Sequence, residues 1–307
     1  MIMNIPFLKF TKIYYIFSSL LLVIALFSIF YFGLNLGIDF LGGSILEIEF
    51  ENRPESSVLQ EKLSSFDLGE YTIQPVGGKG IILKMKEISY DVHQGVVSKL
   101  SEISPAKELG FEDVGPVISR ELRGKTVILV AVSLLGLLLY IMISFRKVSR
   151  PVSGFILGIV SIITLGFDVL ITVGFFAIMG KFYNVQFNIP IITALLTIIG
   201  YTINDKVIIF DRVRENIIRR SSDDFKELVN KSINETLFRS LSTGFCTLLV
   251  LASLVIFGGE TLKYFSLALI VGIIAGTYSS LFIASPLLVS WYKWSAGREV
   301  RAGSKKR

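Results

Sequence analysis

Six apolar stretches of roughly twenty residues or more constrain the fold of this 307-residue chain more than any other feature. A helix of that length crosses the hydrocarbon core of a bilayer, where only helices and closed barrels satisfy every backbone hydrogen bond. Because 52% of the residues are hydrophobic, we exclude a soluble protein. The sequence predicts an α-helical integral membrane protein whose six transmembrane helices are Ile13–Phe32, Thr126–Phe145, Val152–Met179, Ile189–Phe210, Leu237–Phe257 and Leu262–Trp291.

Lysine and arginine residues beside these spans predict the orientation of the chain, because cytoplasmic loops carry an excess of both. The short connections on the opposite side carry only Lys181 and Lys263. Both termini are therefore predicted to be cytoplasmic, with the first span as an uncleaved anchor. The net charge of +6 is then a consequence of topology and not a sign of nucleic-acid binding. The basic residues concerned are Lys9, Lys12, Arg146, Lys147, Arg150, Arg212, Arg214, Arg219, Arg220, Lys226, Lys231, Lys293, Arg298, Arg301, Lys305, Lys306 and Arg307.

The one large gap between spans, residues 44–122, predicts a small acidic domain outside the membrane, with 8 basic and 14 acidic residues. Alternation in Ile45–Phe50, helical spacing in Glu55–Phe66 and Tyr90–Ile103, and a hairpin over 71–85 give the order β-α-β-β-α. A further strand before Gly115 closes a ferredoxin-like α+β sandwich. The predicted domains are 1–33 with helix 1, 34–122 outside, 123–296 with helices 2–6 and a cytoplasmic loop 211–236, and a basic tail 297–307.

Several kinds of chemistry are set aside. Cys246 is the single cysteine and His93 the single histidine, so neither a disulfide nor a His/Cys metal cluster is possible within the chain. His93 is predicted to lie on the surface of the external domain. Gly124-Lys125-Thr126 resembles the end of a phosphate-binding loop, but Ser119 stands where its first glycine belongs. We expect a chain that is not an enzyme and that holds no metal or cofactor.

A carboxylate inside span four is the first candidate functional group. Asp205 lies ~22 Å along the helix from Pro190, in the inner half of the membrane, where an ionisable group costs about 2.5–3.5 kcal/mol or more. Tyr201 and Thr202 share its face, whereas Lys206 is predicted to point away and to snorkel to the headgroups. The alternative is a shorter helix that leaves Asp205 at the interface.

Spans three and five offer further polar groups. Arg239 begins a stripe in span five that faces Tyr201, Thr202 and Asp205 in the prediction, so that Asp205 and Arg239 form a switchable pair. A positive-inside anchor is the alternative for Arg239. Asp168 in span three suits either a proton relay or a single structural hydrogen bond. The stripe continues through Ser242, Thr243, Cys246 and Thr247, and the faces for close packing are Gly154-x-x-x-Gly158 and Gly272-x-x-x-Gly276.

Three blocks of sequence resemble one known family. They are Gly37-Ile38-Asp39-Phe40-Leu41-Gly42-Gly43, Val114-Gly115-Pro116, and the segment Gly200–Asn216 with Asn204-Asp205 and Asp211-Arg212-Val213-Arg214-Glu215-Asn216. With the order of spans, they resemble SecF, the smaller half of the SecD–SecF accessory of the bacterial Sec protein-export machinery, related to the resistance-nodulation-division transporters. The resemblance covers essentially the whole chain. It implies a machine driven by protons, or in some members by sodium, that pulls emerging preprotein across the membrane after the ATP-driven steps.

The resemblance also implies roles for matching residues. Asp205, Arg239 and Asp168 would couple ion movement, with Tyr201, Thr202, Asn204, Ser242 and Thr243 as supporting polar groups. Gly37, Asp39, Phe40, Gly42 and Gly43 would form an element at the outer mouth, and Asp211, Arg212, Arg214, Glu215 and Asn216 a cytoplasmic motif. Two positions depart from the family: Lys206 stands where a small hydroxyl residue is common, and Phe167 where a histidine is. Because Lys206 is expected to face away, Lys206→Thr is expected to be mild.

The partners implied are a SecD-like subunit, the SecY/SecE/SecG translocon, an unfolded preprotein and membrane lipids, without nucleic acid. The implied location is the bacterial cytoplasmic (inner) membrane, and the coupling ion is H+ or Na+. One alternative is a complete small-molecule or lipid exporter of the related superfamily. The other is a passive factor that stabilises the translocon, which would tolerate the loss of Asp205.

Overall fold

The computed structural model describes residues 5–145 and 152–304, with the side chains of all of these except 260–261 and 296–304. Arg146, Lys147, Arg150, Lys305, Lys306 and Arg307, and the side chains of Arg298 and Arg301, lie outside this description. In chain order the elements are α1 (Thr11–Phe32), α2 (Ile38–Leu41), β1 (Gly43–Phe50), α3 (Ser56–Leu63), β2 (Thr72–Val76), β3 (Gly80–Met85), α4 (Tyr90–Ser101), β4 (Ala106–Val114), α5 (Pro116–Ser144), α6 (Gly154–Tyr183), α7 (Ile189–Ile218), α8 (Phe225–Phe257), α9 (Glu260–Ser279) and α10 (Ser285–Ser304).

The six predicted spans are confirmed as helical segments long and apolar enough to cross a membrane. A 3₁₀ turn, Phe7–Phe10, precedes α1, and a π-helical turn, Ser280–Ala284, joins α9 to α10 within the sixth span. The six segments are Phe7–Phe32, Pro116–Ser144, Gly154–Tyr183, Ile189–Ile218, Phe225–Phe257 and Leu262–Ser295.

The cytoplasmic loop predicted over 211–236 is wrong in its extent. Helix α7 continues to Ile218 and α8 begins at Phe225, which leaves a connection of residues 219–224. Arg220, in the connection after α7, adopts the left-handed conformation (φ 50°), and the Asp224 side chain caps α8 by accepting a hydrogen bond from the Lys226 amide at 3.0 Å. The charged residues that suggested a loop instead form pairs along and between the two helices.

The chain divides into two compact units, one over residues 36–128 and the other containing the remaining helices. In the first unit, an antiparallel sheet has the strand order β2-β3-β1-β4. Its element sequence, β1-α3-β2-β3-α4-β4, agrees with the predicted order, including the closing strand. Leucine, isoleucine and phenylalanine side chains from β1, β3, α3 and α4 form its core.

His93 is a correction to the prediction for this domain. Its side chain is buried, with the residue 4% exposed, and the imidazole stacks on the Phe111 ring with the two centroids 4.0 Å apart. Its Nε2 lies 3.2 Å from a carboxylate oxygen of Glu108. The helical face that carries Val96 and Leu100 also carries His93, so α4 places the ring against the sheet rather than in water.

Close helix contacts at glycine organise the second unit. A methyl group on Gly174 of α6 would lie 2.6 Å from the Ala25 Cα of α1, and one on Gly154 would lie 2.8 Å from the Phe145 carbonyl oxygen. On α9, a methyl group at Gly272 would overlap the Ile198 side chain of α7. The predicted role of the small residues in close packing is confirmed at Gly154 and Gly272, and Gly174 is a further close contact that was not predicted.

Candidate functional site

A buried ion pair connects α6 with α7. Lys206 Nζ donates a hydrogen bond to Asp168 Oδ2 at 2.8 Å, and both side chains are 0% exposed. The prediction that Lys206 snorkels to the headgroups is therefore wrong. That prediction considered α7 alone, whereas packing against α6 places a carboxylate at the same level. A buried ammonium that lacks a partner is costly, so the pair forms in preference to an extended path to water.

The second carboxylate oxygen of Asp168 takes no part in this ion pair. Its Oδ1 is buried and has no hydrogen-bond partner within the described part of the chain, and the same holds for the hydroxyl of Thr202. Thr202 and Ser279 are the hydroxyl side chains beside the carboxylate. Gly276 lets α9 approach, because a methyl group there would overlap the Thr202 side chain; it would also stand 3.5 Å from Asp168 Oδ2. The surroundings of Asp168 are thus built from three helices, α6, α7 and α9.

Asp205 lies one residue before Lys206 and is only 4% exposed, although the described residues place no cation within ion-pair distance of it. Two residues of α8 act on Asp205 electrostatically. The buried Ser240 does so through its hydroxyl dipole, and the exposed Arg239 does so through its charge. The predicted pair between Asp205 and Arg239 is not formed in this structure. Asp205 is consequently a buried carboxylate whose charge is not neutralised by a bonded partner.

The remaining residues of the predicted polar faces do not all lie at one site. The Tyr201 hydroxyl and Thr247 Oγ1 lie 3.1 Å apart, which brings α7 and α8 together through the stripe. Thr202 turns towards Asp168 rather than Asp205. The others lie farther from the two acids: Asn204, Thr243 and Cys246 are exposed, and Ser242 is half-buried.

The predicted cytoplasmic motif joins α7 to α8. Arg212 Nε and Asn216 Nδ2 both donate to Glu235 Oε2, at 2.6 and 2.8 Å, and Asn216 also donates to the Ser232 hydroxyl at 2.9 Å. Arg212 further pairs with Glu215. Along α7, Arg214 pairs with Asp211 at 2.8 Å. These contacts link the two helices beyond the apolar parts of both, which explains why the helices continue where a loop was expected.

The glycine block 37–43 has a structural basis within its own unit. Gly42 (φ 81°) and Gly43 (φ 127°) adopt backbone conformations that other residues rarely take, and they connect the short helix α2 to β1. A methyl group on Gly43 would lie 2.6 Å from the Met85 carbonyl oxygen. Phe40 is buried, and its carbonyl accepts a hydrogen bond from Arg123. Gly37 precedes α2, and Asp39 lies in its first turn.

Sequence reasoning missed two buried hydroxyl residues at the site. Ser240 follows Arg239, but the predicted stripe was drawn through the residues at the spacing of Arg239, and Arg239 itself is exposed. Ser279 lies at the end of α9, outside the predicted polar stripe. Ser240 lies four residues before Gly244, and both residues are buried on α8. This spacing places them on one face of the helix and indicates the inward face that the predicted stripe did not include.

The contact at Gly276 gives a prediction with an internal control. Gly276→Ala is expected to destabilise the chain by about 1–3 kcal/mol, because the added methyl group overlaps Thr202 and forces α9 away from α7. Gly200→Ala adds the same group to an exposed face of α7, with nothing within 4 Å, and is expected to be neutral or slightly stabilising. Thermal unfolding of both variants in detergent checks this. Equal unfolding midpoints would contradict the close approach of α9.

Comparisons with known families match most of the chain. A family model described as protein export membrane protein SecD/SecF, C-terminal, matches residues 96–294, and one described as the SecD/SecF GG motif matches residues 27–52. The protein translocase subunit SecF of Thermobaculum terrenum is 39% identical over 293 residues, which cover 91% of each chain. The subunit of the same name from Calditerrivibrio nitroreducens is 37% identical over 295 residues, which cover 93% of each chain.

Solved structures also resemble the chain. The crystal structure of SecDF from Thermus thermophilus, described as a translocon-associated membrane protein, superposes with a TM-score of 0.82 at 35% identity. This match covers 94% of the present chain and 38% of the SecDF chain. SecDF in a super-membrane-facing form gives a TM-score of 0.65 at 33% identity, covering 98% and 39% of the two chains.

Proposed function

Because this chain belongs to the SecF family of protein translocase subunits, we propose that it uses the proton or sodium gradient across the bacterial cytoplasmic membrane to promote late steps of preprotein export. The observation that carries the proposal is Asp205, a buried carboxylate in a multi-pass membrane protein with no ion-pair partner in the described residues. Ionisable residues at this depth are expensive and mark ion pathways. In this proposal the chain is not an enzyme, and H+ or Na+ is a coupling ion rather than a resident cofactor.

Export assays with and without a gradient test this function. Inverted membrane vesicles that contain the chain are expected to complete preprotein translocation faster than vesicles depleted of it, because the gradient drives the late step. An ionophore that collapses the gradient is expected to remove this difference while ATP-driven initiation continues. A difference that survives collapse of the gradient would favour a passive assembly factor.

A SecD-like subunit is the proposed partner within the membrane. Several polar residues of α7 and α8, among them Asn204, Arg239 and Thr243, are exposed in the isolated chain inside segments of membrane-spanning length. Polar groups facing lipid are unfavourable, so helices of another subunit would cover them. The chain corresponds to 38% of the SecDF chain, which leaves most of that protein to a SecD half. We extend the proposal to SecY/SecE/SecG, which would deliver the preprotein.

The domain over 36–128 is the proposed site of preprotein contact, because its sheet has edges to which an extended polypeptide can add as a strand. Within the hairpin over 71–85, β3 lies inside the sheet, so only β2 and β4 are edges. Strand β2 contains Pro75, which lacks an amide proton, whereas β4 has nine residues and no proline. The acidic surface of this domain would also attract basic segments.

Photocrosslinking tests this contact. A photoreactive residue at Leu109, exposed on β4, is expected to crosslink a stalled preprotein. One at Glu61, exposed on α3 of the same domain, is the control and is expected to give at least several-fold less product, since a helix offers no strand edge. Equal yields at the two positions, or crosslinks confined to the helical bundle, would argue against strand addition.

The orientation proposed has both termini in the cytoplasm and residues 44–122 outside. Ser222→Cys, in the connection 219–224, is expected to resist a membrane-impermeant thiol reagent added from outside, because its basic surroundings oppose translocation. Lys79→Cys, in the turn between β2 and β3, is expected to react. Both changes are made in a Cys246→Ser background, since Cys246 is exposed. Outside labelling at position 222 would reverse the topology.

A further inference from the structure

We propose that Lys206 is a tethered counter-ion: its ammonium occupies the cation position at Asp168 and so leaves Asp205 as the one carboxylate of the site that takes up a mobile cation. The inference rests on the proposed ion-coupled function and deepens it, because it identifies a residue that sets how many cations the bundle accepts and of which kind. It starts from the Lys206–Asp168 pair and not from the resemblance to relatives.

The position that the ammonium fills has the chemistry of a cation site. Lys206 Nζ lies 2.8 Å from Asp168 Oδ2 at 0% exposure, so the pair is closed to water. Asp168 Oδ1 and the Thr202 hydroxyl are both buried and have no hydrogen-bond partners in the described residues. Thr202 and Ser279 are the two hydroxyl side chains beside the Asp168 carboxylate. Carboxylate and hydroxyl oxygens are the ligands that hard cations prefer. An ammonium group on a side chain satisfies the same oxygens without leaving.

The charges around the Lys206–Asp168 pair determine how many mobile cations the site accepts. On α6 and α7 the buried ionisable groups are Asp168, Asp205 and Lys206. On α8, the buried Ser240 lies beside Asp205, and the exposed Arg239 acts on Asp205 through its charge alone, as the neighbouring Lys206 also does; α9 contributes Ser279 as the polar side chain beside Asp168. The Lys206–Asp168 pair is neutral as a unit, so one monovalent cation at Asp205 neutralises the remaining buried carboxylate. Without the lysine, the same interior contains two carboxylates and accepts two cations.

Cation-dependent thermal stability of the purified full-length chain tests the inference without any export assay. Unfolding midpoints are compared in sodium chloride, lithium chloride and choline chloride at equal ionic strength. For Lys206→Thr, Na+ or Li+ is expected to raise the midpoint by about 2–4 °C relative to choline, because a bound ion stabilises only the folded state. The wild type, in which the ammonium occupies Asp168, is expected to show a smaller rise, limited to what Asp205 binds.

Two further variants make the result specific. Lys206→Thr combined with Asp168→Asn removes the carboxylate and is expected to return the cation response to that of the wild type. Lys263→Thr removes an exposed lysine and is expected to behave as the wild type. If Lys206→Thr cannot be recovered folded, Lys206→Gln replaces it, since glutamine is uncharged but still reaches into the site.

Two outcomes would overturn the inference: an unresponsive folded Lys206 variant, or a wild type with the same cation response as that variant. Failure of the wider function is recognised separately. Gradient-driven export that persists in Asp205→Asn would remove the coupling role of Asp205, while the cation response of Lys206→Thr would still report on Asp168.

Discussion

Asp205→Asn is expected to abolish the part of preprotein export that depends on the ion gradient, while assembly of the complex and the ATP-driven steps persist. Asparagine keeps the size and hydrogen bonding of aspartate but cannot ionise. One proton that crosses ~150 mV releases roughly 3.5 kcal/mol, which shifts a two-state equilibrium by about 300-fold. A variant that cannot load and release the ion loses this entire shift. Export into inverted vesicles, with the gradient present and collapsed, measures the loss.

Asp223→Asn is the matched control for this prediction. It makes the same chemical change at an exposed position in the connection 219–224, outside the helices. We expect it to retain the gradient-dependent component of export. Full gradient-dependent export by Asp205→Asn at normal abundance would eliminate the coupling role and favour the passive assembly factor.

Asp168→Asn is expected to destabilise the folded chain by about 3–5 kcal/mol, because it leaves the Lys206 ammonium buried without its partner. The double variant Asp168→Asn/Lys206→Met is expected to recover most of this loss, since neutral side chains of similar volume are tolerated where a lone charge is not. Thermal or denaturant unfolding of the purified variants provides the measurement. Lys206→Thr is accordingly no longer expected to be mild.

Asp205→Asn serves as the stability control, because Asp205 is also buried but makes no ion pair with any described residue. Its unfolding midpoint is expected to stay close to that of the wild type. Equal destabilisation by Asp168→Asn and Asp205→Asn would show that burial of a carboxylate, and not loss of the pair, determines the effect.

The predicted spans and the order of the external domain follow from local features of the sequence. Long apolar runs identify the six segments, and alternation with a glycine turn identifies β2 and β3. The depth of Asp205 is likewise a matter of counting along one helix. These features depend on residues close together in the chain, so a sequence contains them directly.

The partner of Lys206 could not be predicted in the same way. Asp168 lies 38 residues away on another helix, and periodicity gives the face of each helix without saying which faces meet. The same limitation explains Arg239, whose helix turns Ser240 inward and leaves the arginine exposed. In the segment 211–236, charge density suggested a loop, but Glu235 pairs with Arg212 across the helix contact. Because these charged residues pair between two helices, they are compatible with a helical segment.

The short connection between α6 and α7 has a consequence for the way the chain is made. Residues 184–188 separate Asp168-bearing α6 from Lys206-bearing α7, and Asn184 (φ 54°) turns the chain back directly. Each charge on its own would cost about 2.5–3.5 kcal/mol to insert at the centre of a helix. A newly synthesised α6 therefore meets its neutralising lysine as soon as the next helix emerges. In the hairpin of the two helices, Asp168 and Lys206 neutralise each other, so the order of synthesis itself protects this pair from being stranded as single charges.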